Sequence, residues 1–428
     1  MATGNQLRIL SLNCWGLKFI SKFRKERYEA IANDILEANY DIVNLQEIWV
    51  FADFEYMRGR LSADFPHSKF FYSGALGAGL AIFSRFPFVG TSLFPYSLDG
   101  EPIDVAAGDW FVGKALASVT ILHSMLGKVE IFNTHLFAKG GEHPHRLAGA
   151  WELAKLTRRS AELGNYVIVT GDLNGIPSSL ALTIIGEHTG LFDSWLISHP
   201  QGAGGDDGGT FTAAEAIERF GVTADSPLNS WSAGKSLDDD AKKTLGKRLD
   251  YVLYRQPQKP QADAAQLYPA LHCKDCKVVL TGLVPGKDYS YSDHFGLEAT
   301  LEIENIPGTH FTAVEPELSS ATIATVIQSL TERYRTARTR SRNEMIIFGS
   351  AVVGCVALAV GTAFLPFAWI SSIFVVVAVA LAWLATTWLY EGFLYGNWEC
   401  NALMNITEEL EIHRTGLAIL SGQPPSPT

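Results

Sequence analysis

The chain has 428 residues, of which 47% are hydrophobic, 11% aromatic and 18% charged. That burial potential excludes a disordered chain, while a charged fraction below the roughly 25% of a soluble domain points to one segment greasier than a globular enzyme needs. The 34 basic and 45 acidic residues, net −11, argue against nucleic acid as a partner, and five cysteines are too few for a disulfide scaffold, which fits a reducing, cytosol-facing setting.

Residues 1–8 are polar and lack the apolar stretch of a signal peptide. Short apolar runs at 7–12, 42–45, 79–83, 115–122, 129–132, 167–169, 251–254 and 295–303 predict strands, and 22–38, 51–61 and 146–163 predict helices. Their alternation predicts an α/β layered enzyme over 1–305. Residues 201–209 form a Gly/Asp loop and 233–247 a polar insertion. A linker at 306–318 leads to a polar helix at 319–342, which together make a connecting region at 306–344.

The grease lies at 345–390, where no Asp, Glu, Lys or Arg occurs. A membrane span needs about 20 apolar residues, so this run predicts two helices, at 345–364 and 370–390, with Pro366 in the turn. The alternative is a helical pair buried in a soluble core. Arg333, Arg335, Arg338, Arg340 and Arg342 precede the run. Cytoplasmic flanks collect such cations, which places 1–305 and the 391–428 tail in the cytosol. The same arginines would attract anionic phospholipids as activators, at about 1 kcal/mol each near the surface. Gly349, Gly354 and Gly361 could pack the spans against a second copy, as a homodimer, or only against each other.

Polar residues stand at the predicted strand ends. Asn13 follows the first strand, Gln46 and Glu47 the second, His135 the 129–132 run, and Asp172 with Asn174 the 167–169 run; Asp293 and His294 precede the last. Strand ends that share one edge make a common cleft, where loops carry catalysis. The ordered set Leu12-Asn13-Cys14-Trp15-Gly16, Leu45-Gln46-Glu47, Asn133-Thr134-His135, Gly171-Asp172-Leu173-Asn174, Arg248-Leu249-Asp250-Tyr251 and Ser292-Asp293-His294 resembles the endonuclease/exonuclease/phosphatase superfamily, whose fold is the DNase I-like four-layer α/β sandwich. Within it, residues 13–18, the stretch Gly108-Asp109-Trp110-Phe111-Val112-Gly113-Lys114 and the C-terminal hairpin look like the neutral sphingomyelinase group. Residues 18–27 lean toward its fungal branch, the inositol phosphosphingolipid phospholipases C.

The resemblance implies a membrane sphingolipid substrate cleaved to ceramide and a phosphorylated headgroup, on an intracellular membrane such as the endoplasmic reticulum or mitochondria. Phosphodiester hydrolysis needs neutralised phosphate charge, an activated water and a protonated leaving oxygen. Glu47, with Asn13 and Asp293, is expected to ligate Mg²⁺, or Mn²⁺ in its place, through oxygen. His294 is expected as general base, Asp250 as the carboxylate orienting it, Asp172 and Asn174 as groups orienting nucleophile and phosphate, and His135 as general acid. The Gly108 to Lys114 spacing fits a nucleotide-binding P-loop, but Ala115 stands where that loop needs Ser or Thr. By resemblance, Asp109 and Lys114 contact the headgroup or phosphate instead.

Three features are less specific. Lys18, Lys22, Arg24, Lys25 and Arg27 either face a headgroup or bilayer or form a solvated helix face. Cys273 and Cys276 read as a loop feature, not half a zinc site. The competing functions are a nuclease or inositol-polyphosphate phosphatase on the same fold, or an inactive membrane scaffold.

Overall fold

A computed structural model describes residues 4–104, 108–200, 211–258, 263, 266–311, 317–420 and 422; the loop expected at 201–209 lies outside them. The chain divides into two compact units, one of residues 1–99 and 107–318, the other of 100–106 and 319–428.

In the first unit the strands are, in chain order, β1 (Gln6–Asn13), β2 (Ile42–Gln46), β3 (His67–Phe71), β4 (Leu80–Ser84), β5 (Phe88–Pro95) and β6 (Ala115–His123). They continue with β7 (Gly127–His135), β8 (Tyr166–Asp172), β9 (Phe192–Asp193), β10 (Asp250–Arg255), β11 (Leu267–Val279) and β12 (Gly296–Pro307). Six form a sheet in the order β11-β12-β1-β2-β4-β3, and six a second sheet in the order β5-β6-β7-β8-β10-β9. Most neighbours are antiparallel. The parallel pairs are β1 with β2 and β7 with β8, and each is joined by a helical crossover, as parallel pairing requires: α1 (Arg24–Ala38) and α3 (Pro144–Glu162).

The inner faces of the sheets share one core, with Leu7, Ile9, Ile82 and Leu301 from one sheet against Ala117, Val119, Ile131, Ile168 and Val252 from the other. Outside the first sheet, Tyr28, Ile31 and Ile35 of α1 and Phe54, Met57 and Leu61 of α2 (Phe51–Leu61) bury against Leu10, Leu12, Val43 and Phe83. Outside the second sheet, α3 buries Leu147, Trp151 and Leu153, and the chain later forms the short helices α4 (Leu180–Thr189), α5 (Ser194–Ser198) and α6 (Ala213–Phe220). These are the four layers of the DNase I-like sandwich. At the end of the core where β2 and β8 finish, polar side chains replace apolar ones. Asn44 Nδ2 donates to Thr170 Oγ1 at 2.8 Å and Gln46 Nε2 to Asn133 Oδ1 at 2.7 Å, while Asn133 Nδ2 donates to the carbonyls of Leu45 at 3.0 Å and Ala81 at 3.1 Å. Each of these bonds joins one sheet to the other.

The strands β3, β5, β9 and β11 escape the sequence reading because edge and near-edge strands are only half apolar. The Cys273 to Cys276 stretch is therefore strand, not loop. It lies on edge strand β11, where a register shift between Cys273 and Asp275 lets both thiols point inward. The polar insertion at 233–247 contains a short helix, α7 (Asp239–Thr244), capped by Asp238.

In the second unit the expected polar helix and first span are one continuous helix, α8 (Ser320–Gly361). A 3-10 turn at Thr362–Phe364 and Pro366 reverse the chain into α9 (Ile370–Leu389), and a π-helical turn at Tyr390–Tyr395 leads to α10 (Gly396–Leu420). Gly354 packs on Leu381 and Gly361 on Phe374, so these two glycines face the partner helix of the hairpin, whereas Gly349 meets nothing within 4 Å. Only 6% of either apolar stretch is buried, which is opposite to what a soluble core helix shows. Arg333 and Arg340 do not face outward freely. Both pair with Glu101 and with the fully buried Glu399, Arg333 Nε lying 2.7 Å from Glu399 and Arg340 Nη1 2.7 Å from Glu101.

Replacing Asn133 with Ala is expected to deprive the Leu45 and Ala81 carbonyls of its amide and to leave Gln46 Nε2 only its longer bonds to Ser11 Oγ at 3.2 Å and the Asn44 carbonyl at 3.4 Å. Each buried unpaired group costs roughly 1–3 kcal/mol, so thermal unfolding followed by near-ultraviolet circular dichroism should show a midpoint lowered by several degrees.

Candidate active site

The site assembles from chain ends that the two sheets present at one edge. Asn13, His135 and Asp172 are the last residues of β1, β7 and β8, Asp250 is the first of β10, and Asp293 and His294 lie just before β12. Asp172 reaches its place because Gly171 has φ +146°, and a Cβ there would fall 2.0 Å from the Thr134 carbonyl oxygen of the neighbouring strand. Glu47 and Asn174, one residue past β2 and two past β8, hold left-handed backbones with φ 55° and 49°. Such conformations are costly for side chains other than glycine and cluster at functional sites.

Asn13 is the hinge of the arrangement. Its Nδ2 donates to Glu47 Oε1 at 3.2 Å and to Asp172 Oδ2 at 3.0 Å, and its Oδ1 accepts from Trp15 N at 3.0 Å. Asn13 therefore positions Glu47 through its nitrogen, and the second lone pair of its oxygen leaves its expected role as ligand open. Glu47 and Asp293 fit a hard cation better. Both are half-buried and open to the cleft. Desolvation, reinforced by the neighbouring Asp293 charge, pushes the Glu47 carboxyl up to about 7, and burial raises Asp293 as well. Two oxygen-donor carboxylates that repel each other in this way are a natural seat for a divalent cation, which would let both ionise.

His294 Nδ1 lies 2.8 Å from Asp250 Oδ2 and its Nε2 3.8 Å from Asp172 Oδ2. Burial alone would lower the imidazole, but Asp250 and Asp172 together hold it well above its ordinary value. A base is strengthened when its protonated form is stabilised, and Asp250 also fixes which ring nitrogen faces the cleft. Desolvation lifts Asp172 to about 6, against His294 and the amides of Asn174 and Asn13. Asn174 N donates to Asp172 Oδ1 and its Nδ2 to the Leu136 carbonyl, both at 2.9 Å.

His135 is different. Its Nε2 is 3.3 Å from Lys114 Nζ and 3.5 Å from Asp172 Oδ2, and burial, Lys114 and His294 all push it well below its usual value. The neutral ring can accept from the Lys114 ammonium, so to act as the expected acid it must first gain a proton. Lys114 itself is buried, 3.0 Å from Asp109 Oδ1 and 2.9 Å from the Leu136 carbonyl. The loop carrying this pair does not cradle a nucleotide. It makes one 3-10 turn at Asp109–Phe111 and runs into β6, with Gly113 backed directly against Gly74.

Three supporting residues stand outside the expected site. Asp99 accepts the Lys114 backbone N–H at 2.7 Å, and its own carboxyl is raised to about 7 by burial. Arg146 grips the Phe137 carbonyl at 3.0 Å and that of Lys139 at 2.9 Å, fixing the loop after His135. Arg27, grouped by sequence with headgroup-facing cations, is instead 1% exposed and donates to the carbonyls of Cys14, Trp15, Lys22 and Tyr291. Arg24 is paired with Asp53 at 2.6 Å, which leaves Lys18, Lys22 and Lys25 as the exposed cations of that cluster. Asp172, Asp250 and His294 offer donor atoms within 4.8 Å of one another, but the last two are spent on each other.

Known proteins match this chain at several levels. Residues 10–294 match the Endonuclease/Exonuclease/phosphatase family. The inositol phosphosphingolipids phospholipase C of Schizosaccharomyces pombe is 35% identical over 95% of this chain and 94% of its own length. Sphingomyelin phosphodiesterase 2 of Homo sapiens is 32% identical over 71% of this chain and 66% of its own. Among solved structures, TDP2 from C. elegans aligns with TM-score 0.50 and 18% identity over 69% of this chain and 75% of its own, a likeness of fold.

The charge states separate the two histidines. On a phosphodiester with an alkoxide leaving group, His294→Ala is expected to lose about 100-fold or more in turnover. His135→Ala should lose activity equally with an alkoxide and with a nitrophenolate that needs no proton; relief of its defect by nitrophenolate would restore it as the acid.

Proposed function

The chain belongs to the endonuclease/exonuclease/phosphatase family, and we propose that within it the chain is a sphingolipid phosphodiesterase of the phospholipase C type, releasing ceramide and a phosphorylated headgroup. One observation carries the reading: similarity to an inositol phosphosphingolipids phospholipase C continues through both the cleft and the helical unit, over 95% of this chain. Inositol phosphosphingolipids are accordingly the favoured substrates, with sphingomyelin as the related alternative.

In this reading His294 Nε2 takes a proton from the attacking water while its Nδ1–H is held by Asp250. Asp172 and Asn174 orient the water and a phosphate oxygen. Lys114, kept in place by Asp109, the Leu136 carbonyl and neutral His135, adds positive charge to the phosphate site from within the wall of the cleft. Attack forms a new bond from water oxygen to phosphorus and breaks the bond to the ceramide oxygen, which takes up the proton that His294 removed, passed on through water, and departs as the alcohol. Glu47 and Asp293 would hold Mg²⁺, or Mn²⁺ in its place. When bound, the cation supplies positive charge against the phosphate oxygen on which negative charge builds.

The uncharged hairpin of α8 and α9, exposed along its apolar length, supports an integral membrane protein. The arginines before it support a cytosolic catalytic unit and tail on an intracellular membrane, the endoplasmic reticulum or mitochondria. With Arg333 and Arg340 engaged by Glu101 and Glu399, attraction of anionic phospholipids falls to the exposed Arg335, Arg338 and Arg342.

Full-length protein in mixed micelles, given a sphingolipid extract and assayed by mass spectrometry, should yield ceramide from inositol phosphosphingolipids. Chelation should abolish the product, Mg²⁺ should restore it, and Glu47→Gln should leave it undetectable at any Mg²⁺ concentration; intact substrate with Mg²⁺ present would refute the reading. Replacing Arg335, Arg338 and Arg342 together with Ala should remove most of the stimulation by anionic lipid, whereas replacing Arg333 should act through stability of the helical unit.

A further inference from the structure

Beside the cleft the catalytic unit exposes apolar side chains that no fold requirement explains. Phe19 is 91% exposed, Ile20 63% and Phe23 50%. They occupy the turn that follows Asn13 to Gly16, so the chain passes from the catalytic edge straight into them. Trp15 and Trp231, both half-buried, continue the surface. Their rings lie 4.8 Å apart, and Phe23 stacks on Tyr289 at 4.4 Å with the planes within 11°.

This turn is built, not loose. The Leu17 carbonyl accepts from Ile20 N, Ser21 N and Ser21 Oγ. The buried Arg27 guanidinium clamps both flanks, taking the Cys14 and Trp15 carbonyls on one side and that of Lys22 on the other. Trp15, Phe19 and Phe23 all hold left-handed backbones, with φ 45°, 75° and 48°. That conformation is unfavourable for bulky residues, so the fold accepts strain in order to turn an aromatic ring toward solvent. Lys18, Lys22 and Lys25 are exposed around the ring, with Lys18 Nζ 5.0 Å above the centre of Phe19.

An apolar tip collared by lysines has the chemistry of a bilayer interface, where rings enter below the headgroups and ammonium groups meet lipid phosphates. We propose that the turn of residues 17–23 is a membrane-docking element of the catalytic unit itself, separate from the C-terminal hairpin, inserting Phe19 and Ile20 into the bilayer so that the cleft opens onto lipid. The hairpin tethers the chain; this turn orients the cleft. The proposal deepens the reading of a bilayer lipid as substrate and rests on it.

The test uses the full chain in nanodiscs of phosphatidylcholine with an anionic phospholipid. An environment-sensitive fluorophore is attached at Ile20→Cys, with the exposed Ser62→Cys on the far end of α2 as control and signal from the unsubstituted chain subtracted. The position-20 probe should shift to the blue and be quenched by brominated lipid, and the position-62 probe should do neither. A position-20 probe that reports water overturns the proposal, as does a blue shift without bromolipid quenching, which would mean a protein partner or a second copy on this surface. In a second arm, the double variant Phe19→Ala, Ile20→Ala should need about tenfold more vesicle lipid for half-maximal rate while keeping its rate on a water-soluble short-chain sphingolipid. Equal loss on both substrates overturns the proposal. If the unsubstituted chain cleaves neither sphingolipid, the substrate reading fails while the fluorescence still decides the docking surface.

Discussion

Among the described residues the strands of the two sheets share no backbone hydrogen bonds with each other, and yet the site needs groups from both sheets within hydrogen-bond reach. The Asn13 amide meets that constraint, since a single nitrogen donates to Glu47 of one sheet and Asp172 of the other. Behind it, Gln46 with Asn133 and Asn44 with Thr170 repeat the same kind of bridge deeper in the core. Apolar packing tolerates small slides between sheets, whereas a directional hydrogen bond weakens steeply with misalignment. The polar end of the core therefore sets the register in which the catalytic groups meet.

Electrostatics follows from that geometry. Glu47, Asp172, Asp250 and Asp293 converge on a small volume with Lys114, Arg27 and His294 as the basic groups set against them. Burial makes this surplus of carboxylate costly unless something positive joins it. The protein moves the two imidazoles in opposite directions from their ordinary value: His294 lies among carboxylates and His135 beside an ammonium. Identical side chains in one cleft thus acquire different chemistry from their neighbours alone.

In the helical unit the same economy appears in reverse. Glu399 is fully buried and is held by two arginines that also hold Glu101. A buried carboxylate without such partners would be strongly destabilising. The pairing explains why a run of five arginines, uniform in sequence, divides into two structural and three exposed members.

Much of this protein was legible in its sequence. Strands with near-continuous apolar runs, such as β1 and β8, and helices with a clear buried face, such as α2, announce themselves through burial periodicity, and the uncharged stretch announces the hairpin through length alone. The ordered residues Asn13, Glu47, His135, Asp172, Asn174, Asp250, Asp293 and His294 identify the cleft because strand ends must meet at a sheet edge. The half-apolar strands β3, β5 and β11 did not show, nor did the supports Asp99 and Arg146, whose partners are backbone groups that no side-chain pattern marks. Sequence determined which residues could do chemistry. Only the tertiary structure decided their parts: that Arg27 clamps carbonyls, that Asn13 holds Glu47, and that His135 is pushed below its ordinary value while His294 is held above it. The reason is physical, since charge state and hydrogen-bond direction depend on distances between segments that sequence order leaves free.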